Sequence, residues 1–182
     1  MKQPKSLQKS WKRHLKLTGG LSLRDLGGYE TADGKLIRWC SLLRGYNLHH
    51  LSPATQQAII DYGVKTIIDL RALSVVKNER YVSIKSPEIR YFNLPLLGER
   101  NLPQLKNKKT AKKIMLEFAH FIFEERSPQI KQILETIATN QTAFLIYGAS
   151  EQDRTGIIIA LLLAIANVPI KDIARDYILS EK

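Results

Sequence analysis

Cysteine is almost absent: Cys40 stands alone, so no disulfide can form within the chain and nothing points to an oxidising compartment. Long apolar runs are missing too. The longest, Ile157 to Ala166, falls well below the roughly 20 residues a bilayer span needs. The first 20 residues contain no acid, and they also lack the apolar core of a secretory signal. Together these absences predict a soluble, cytoplasmic protein. His49, His50 and His120 show no metal-ligand spacing, no zinc spacing or aromatic-rich RNA-binding motif is present, and there is no internal repeat. Neither a metal, another cofactor nor a nucleic acid is expected.

What remains is enough for one domain. A chain of 182 residues with 44% hydrophobic content can bury a proper core, and it is too short for two. Its net charge of +11 is unevenly spread, because Lys2, Lys5, Lys9, Lys12, Arg13 and Lys16 supply six of those charges before residue 20. Residues 1–20 therefore read as a basic tail, a solvated leader or an attachment to an acidic membrane surface, and 21–182 as the domain.

Along the domain, Asp33-Gly34 predicts a turn, and Leu36 to Leu43 a strand closed by Arg44-Gly45, with Cys40 inside it as a buried core residue. Ser52-Pro53 predicts a helix start that runs to about Tyr62 and stops at Gly63. Lys65 to Leu70 is a short β-branched run suited to a buried parallel strand, and Glu88 to Leu94 predicts another strand, closed by Pro95. Ile114, Phe118, Phe121 and Ile122 recur with helical period, and Ser127-Pro128 restarts a helix carried by Ile130, Ile133, Leu134 and Ile137. A strand at Ala143 to Ile146 follows. Beyond it comes a helix apolar on nearly every face, which predicts burial all round, and Pro169 opens a last helix through Tyr177. Alternating strands and helices imply an α/β fold, a mostly parallel central sheet flanked by helices. Ligands in such sheets bind at the carboxyl ends of the strands.

The segment Tyr147-Gly148-Ala149-Ser150-Glu151-Gln152-Asp153-Arg154-Thr155-Gly156 joins the last strand to the apolar helix. Strand, tight loop and helix in that order aim backbone N–H groups and the Arg154 guanidinium at one centre, which suits a phosphate-sized anion. The loop resembles the phosphate loop of the tyrosine and dual-specificity phosphatases, whose nearest branch carries His-Cys-x-x-Gly-Lys-Asp-Arg-Thr-Gly. Four further stretches support the resemblance: Leu23-Arg24-Asp25-Leu26-Gly27-Gly28-Tyr29, Leu43-Arg44, Ile67-Ile68-Asp69-Leu70-Arg71 and Asp176-Tyr177-Ile178-Leu179-Ser180. It covers about residues 21 to 182. Longer relatives continue past the last of these stretches with further helices, whereas this sequence runs to Lys182.

The resemblance implies a phosphatase-like fold and a phosphate site formed by residues 148 to 155. Arg154 would grip phosphate oxygens with its planar fork. Thr155 would cap the helix or lend a hydroxyl, and Asp153 would cap it or serve as general acid and base. Asp69 and Arg71 would neighbour the pocket. Arg24 with Asp25 would form an ion pair, and Arg44 would ring the pocket or brace it. Lys106, Lys108, Lys109, Lys112 and Lys113 fall where relatives place a lid, either a solvated charge run or a contact for a polyanion.

Gly148 breaks the pattern, because it occupies the place of the nucleophilic cysteine. The family reaction needs a thiolate to attack phosphorus. Tyr147 replaces the supporting histidine, Glu151 a glycine and Gln152 a lysine, so the loop loses one positive charge and gains a negative one. An inactive phosphatase-like protein with a retained anion loop is the first reading; its ligand would be a phosphoprotein or a phosphoinositide. A working phosphatase with a non-cysteine mechanism, or a scaffold acting through its tail, are the alternatives.

Overall fold

A computed structural model describes residues 13–16, 22–46, 51–78, 86–99, 117–118, 120–140, 143–148 and 154–179. Its frame is a six-stranded sheet in the order β1-β2-β3-β6-β4-β5. The strands are β1 (His14–Lys16), β2 (Ser22–Asp25), β3 (Leu42–Tyr46), β4 (Thr66–Asp69), β5 (Arg90–Asn93) and β6 (Phe144–Gly148). β3, β6, β4 and β5 run parallel, while β2 and then β1 add antiparallel strands on one edge. The α/β expectation with a mostly parallel sheet is met. β1 lies within the stretch read as tail, and it pairs with β2 from His14↔Arg24 to Lys16↔Ser22.

The helices are α1 (Pro53–Asp61), α2 (Leu73–Asn78), α3 (Ser127–Thr139), α4 (Gly156–Ile165) and α5 (Ile170–Ile178). α1 starts as expected, with Ser52 Oγ accepting from Thr55 N–H and Pro53 at the first turn. Gly63, at φ 98°, supplies the left-handed stop beyond Tyr62. α2 carried no signal that was read, being six residues in a mixed polar stretch. A further helical segment at 120–125 buries Ile122, in line with the period that begins at Phe118.

Strand alternation sorts the core onto two faces. Leu23, Leu43, Ile67, Leu145 and Tyr147 point to one side, where Ile59 of α1 and Val64 join them. Ile68, Phe144 and Ile146 point to the other, against Ile130 and Ile133 of α3 and Ile157, Ile158, Ile159 and Leu163 of α4. Helices thus cover both faces of the central strands.

Three expectations need correction. The strand read over Leu36 to Leu43 lies later, at Leu42–Tyr46, with Arg44 and Gly45 inside it rather than closing it; Leu36 forms only an isolated bridge with Glu30. Gly45 lies within the strand because β3 is paired on both sides, antiparallel to β2 and parallel to β6, and there the ladder, not side-chain propensity, holds the backbone. Cys40 is consequently not a strand residue. It occupies a turn before β3, half-buried, with a left-handed φ of 56°. Finally, α4 is not buried all round, since Ile165 at its end is exposed.

Candidate functional site

β6 is central, and its last residue, Gly148, pairs with Tyr46 of β3, while Tyr147 pairs with Asp69 of β4. The carboxyl ends of such strands are where an α/β sheet ordinarily takes a ligand. α4 begins just past the loop, with Arg154 half-buried, and Thr155 and Gly156 buried. Ala149, Ser150, Glu151, Gln152 and Asp153 lie outside the described residues, as do Lys106 to Lys113, His49, His50 and residues 1–12 of the tail.

Thr155 makes no side-chain cap, contrary to one of its expected roles. Its Oγ1 is buried without a hydrogen-bond partner at the amino end of α4. A buried hydroxyl in that state is costly. It can donate to an anion seated at the helix start, where the peptide dipoles already favour negative charge.

Asp69 and Arg71 come together at the carboxyl end of β4. The Arg71 guanidinium donates to the Asp69 carboxylate through Nε at 3.0 Å and Nη2 at 2.9 Å, and the Arg71 backbone N–H donates to Oδ1 at 2.9 Å. Tyr147 and Tyr91 both donate hydroxyl hydrogens to Asp69 Oδ2, at 2.5 and 2.8 Å. Arg71 Nη2 also donates to the Tyr147 hydroxyl at 3.3 Å, and the guanidinium lies 5.2 Å from the Tyr147 ring centre. Burial, and then the Asp69 charge, push the Tyr147 hydroxyl well above the ordinary tyrosine range. For Tyr91 the same direction follows from burial and then from Tyr147 and Asp69. Burial works against the Arg71 cation, yet its bonds to Asp69 outweigh this and hold the guanidinium firmly protonated. Asn93 Nδ2 ties the strand ends by donating to the carbonyls of Asp69 and Arg71.

The expected Arg24–Asp25 pair does not form as such, because neighbouring strand residues face opposite sides of a sheet. Arg24 and Arg44, register partners, point to the α5 side. There Arg44 Nη1 donates to Asp176 Oδ2 at 2.7 Å, and Arg24 Nη2 donates to the Asp176 carbonyl at 3.2 Å and to Oδ2 at 3.5 Å. Tyr29 donates to Asp176 Oδ1 at 2.9 Å. Asp25 instead points toward α1 and accepts from Gly27 N–H, Cys40 N–H and the Tyr62 hydroxyl, at 2.7, 2.8 and 2.6 Å. Arg24, Arg44 and Asp25 brace the fold. Asp176 went unread as a functional side chain; only its place in the terminal motif marked it.

The glycines of these motifs have steric reasons. A Cβ on Gly27 would stand 2.6 Å from the Trp39 Cα, and Gly28 combines a φ of 77° with the Trp39 ring against it. A Cβ on Gly156 would meet the Tyr177 ring at 2.7 Å. Helix start and terminal motif are thus packed against one another.

A family model described as "Tyrosine phosphatase family" matches residues 15–182. The chain belongs to the tyrosine phosphatase family. A curated tyrosine-protein phosphatase of Nostoc commune is 30% identical over 148 residues, which is 77% of this chain and 48% of that protein. The chain therefore spans about half the length of the curated relative it matches. Among the described residues, no group of acidic, histidine or cysteine side chains could hold a metal ion, and no helix is long and apolar enough to cross a membrane.

Proposed function

We propose that this member of the family is a pseudophosphatase, which holds a phosphate group in the loop around Arg154 but forms no phosphoenzyme. The observation that carries the reading is Gly148, at the end of the central strand and at the family's nucleophile position. Among the described residues, no nearby group takes over. Cys40 precedes β3 at the amino-terminal edge of the sheet, and Leu42↔Phe144 to Tyr46↔Gly148 separates it from Gly148 by roughly 13 Å of strand. The Tyr147 hydroxyl is bound to Asp69 and has its proton held tightly, so it is a poor nucleophile. The unpartnered Thr155 hydroxyl and the start of α4 favour retention of an anion site.

The ligand on this reading is a phosphomonoester of a phosphoprotein or phosphoinositide. Cys40 is a free thiol, in keeping with a reducing cytoplasm. A small aryl phosphate and a phosphate titration provide the test. No hydrolysis is expected, with phosphate binding in about the millimolar range, because one charge-assisted grip is opposed by Glu151. Arg154→Ala should abolish the binding, and Glu151→Gly should tighten it by removing a like charge. Turnover that survives repurification and disappears in Arg154→Ala would make the protein an active phosphatase of unusual mechanism. Absence of any anion binding would leave the scaffold reading.

A further inference from the structure

The outer side of α5 is apolar where a helix on a protein surface is ordinarily polar. At 100° per residue, Ile170, Ala174 and Ile178 form one stripe, all exposed, with Ile170 at 83% and Ile178 at 58%. Ile165, 68% exposed at the end of α4, stands just across the turn that joins the two helices. Ala32 N–H bonds to the Asn167 carbonyl in that turn, and the 30–36 hairpin it anchors carries Leu36, also exposed. Exposed large apolar side chains gathered at one corner mark a contact surface.

Charge says what kind. Beside the stripe, one step round the helix, run Lys171 and Arg175, both exposed. Asp172, the acid bordering this arc, is bonded to Arg175 at 3.2 Å, and Asp176 is buried on the far side. The outward arc therefore joins bulky aliphatic groups with basic ones on a chain of net charge +11. A second copy fits poorly, because the acid bordering this arc, Asp172, is already bonded to Arg175, so α5 paired with itself would offer Lys171 no acidic partner. Ile170 stands proud at the helix start rather than lining a groove, so a soft planar acceptor reaches it better than a protein cleft does.

We propose that the α4–α5 corner is a membrane-docking surface that lies on an anionic bilayer, with Ile165, Ile170 and Ile178 in the acyl boundary and Lys171 and Arg175 at the head groups. This places attachment on the folded domain rather than on the basic tail alone. It does not depend on the phosphate loop.

The full chain is sedimented with phosphatidylcholine vesicles, with and without about 30% phosphatidylserine, to supply the negative surface. Binding is expected only to the anionic vesicles, and it should weaken as salt screens the basic residues. Ile170→Asp with Ile178→Asp should lower partitioning by at least about tenfold. It should do so again when Lys2, Lys5, Lys9 and Lys12 are replaced by glutamine, which removes most of the tail's attraction. If the aspartate pair fails to fold, Ile170→Ser with Ile178→Ser gives the same readout. The proposal is overturned if the wild-type chain does not bind, or if the isoleucine variants bind as well as wild type. It is overturned equally if the chain is a dimer that these variants split, without lipid binding.

Discussion

Asp176, in the last helix, accepts a 2.7 Å hydrogen bond from Arg44 in the middle strand of the sheet, 132 residues earlier in the chain. Both side chains are fully buried. A second guanidinium, Arg24, and the Tyr29 hydroxyl converge on the same carboxylate. This anchor draws α5 onto the sheet, and Tyr177, the next residue, is thereby laid over Gly156 at the start of α4.

Asp176→Asn should therefore destabilise the protein by about 3–5 kcal/mol, since it takes the anion from between two buried cations. Tyr29→Phe removes one donor and should cost only about 1 kcal/mol. Urea unfolding of the two variants checks both magnitudes; equal effects would mean that the ion pairs contribute no more than a hydrogen bond.

Stability should decline above about pH 10. Burial and then Asp176 raise the Tyr29 hydroxyl to about 12 from an ordinary value of 10.0. Between those values the unfolded chain releases a proton that the folded chain keeps, so the folded state loses ground as pH rises. The contribution is complete below pH 10 and gone above the folded value. Tyr62, Tyr91 and Tyr147 are raised too, through burial first and acidic or tyrosine neighbours second, and act in the same direction. Thermal melts from pH 8 to 12 should show a steeper fall for wild type than for Tyr29→Phe.

Gly156→Ala should destabilise by about 1–3 kcal/mol through overpacking against Tyr177. In a Tyr177→Ala background the same change should be nearly free, a coupling that a double-mutant cycle reads directly. Gly27→Ala should be worse than Gly156→Ala and should not be rescued by trimming Trp39, because the nearest backbone atom there is the Trp39 Cα at 2.6 Å.

Gly148→Cys alone should give little turnover. On the proposed reading, Glu151 would oppose both thiolate formation and the incoming phosphate. Adding Tyr147→His, Glu151→Gly and Gln152→Lys should produce a low-pKa thiol and measurable hydrolysis of an aryl phosphate. Tyr147→His also removes one hydroxyl from Asp69, which should lower stability by about 1–3 kcal/mol while Tyr91 and Arg71 keep their bonds. Iodoacetamide reactivity against pH is the check, and a folded quadruple variant with an ordinary thiol pKa near 8.5 would count against a phosphatase-like loop.

Much was legible in the order of residues. The limits of α1, the buried strand through Asp69, the existence of the last strand and the break at Pro169 rest on local chemistry, namely caps, β-branched runs, and glycine or proline where the backbone turns; that the last strand continues through Tyr147 to Gly148, past the Ile146 limit expected, is a product of its pairing with β3 and β4. Gly148, where the resemblance leads one to expect a cysteine, is legible in the same way, because an absent side chain needs no neighbour to explain it. Other features depend on partners distant in sequence. Arg44-Gly45 reads as a turn until β2 and β6 flank it, and Cys40 reads as core until β3 begins at Leu42. Arg24 and Asp25, adjacent in sequence, were divided by the pleat between opposite faces. Only the folded sheet gave the first to Asp176 and the second to Tyr62. Isoleucines 170 and 178 carry the same hydropathy as those in the core. What left them in solvent was the burial of Asp176 by two arginines, which fixed which side of α5 faces inward.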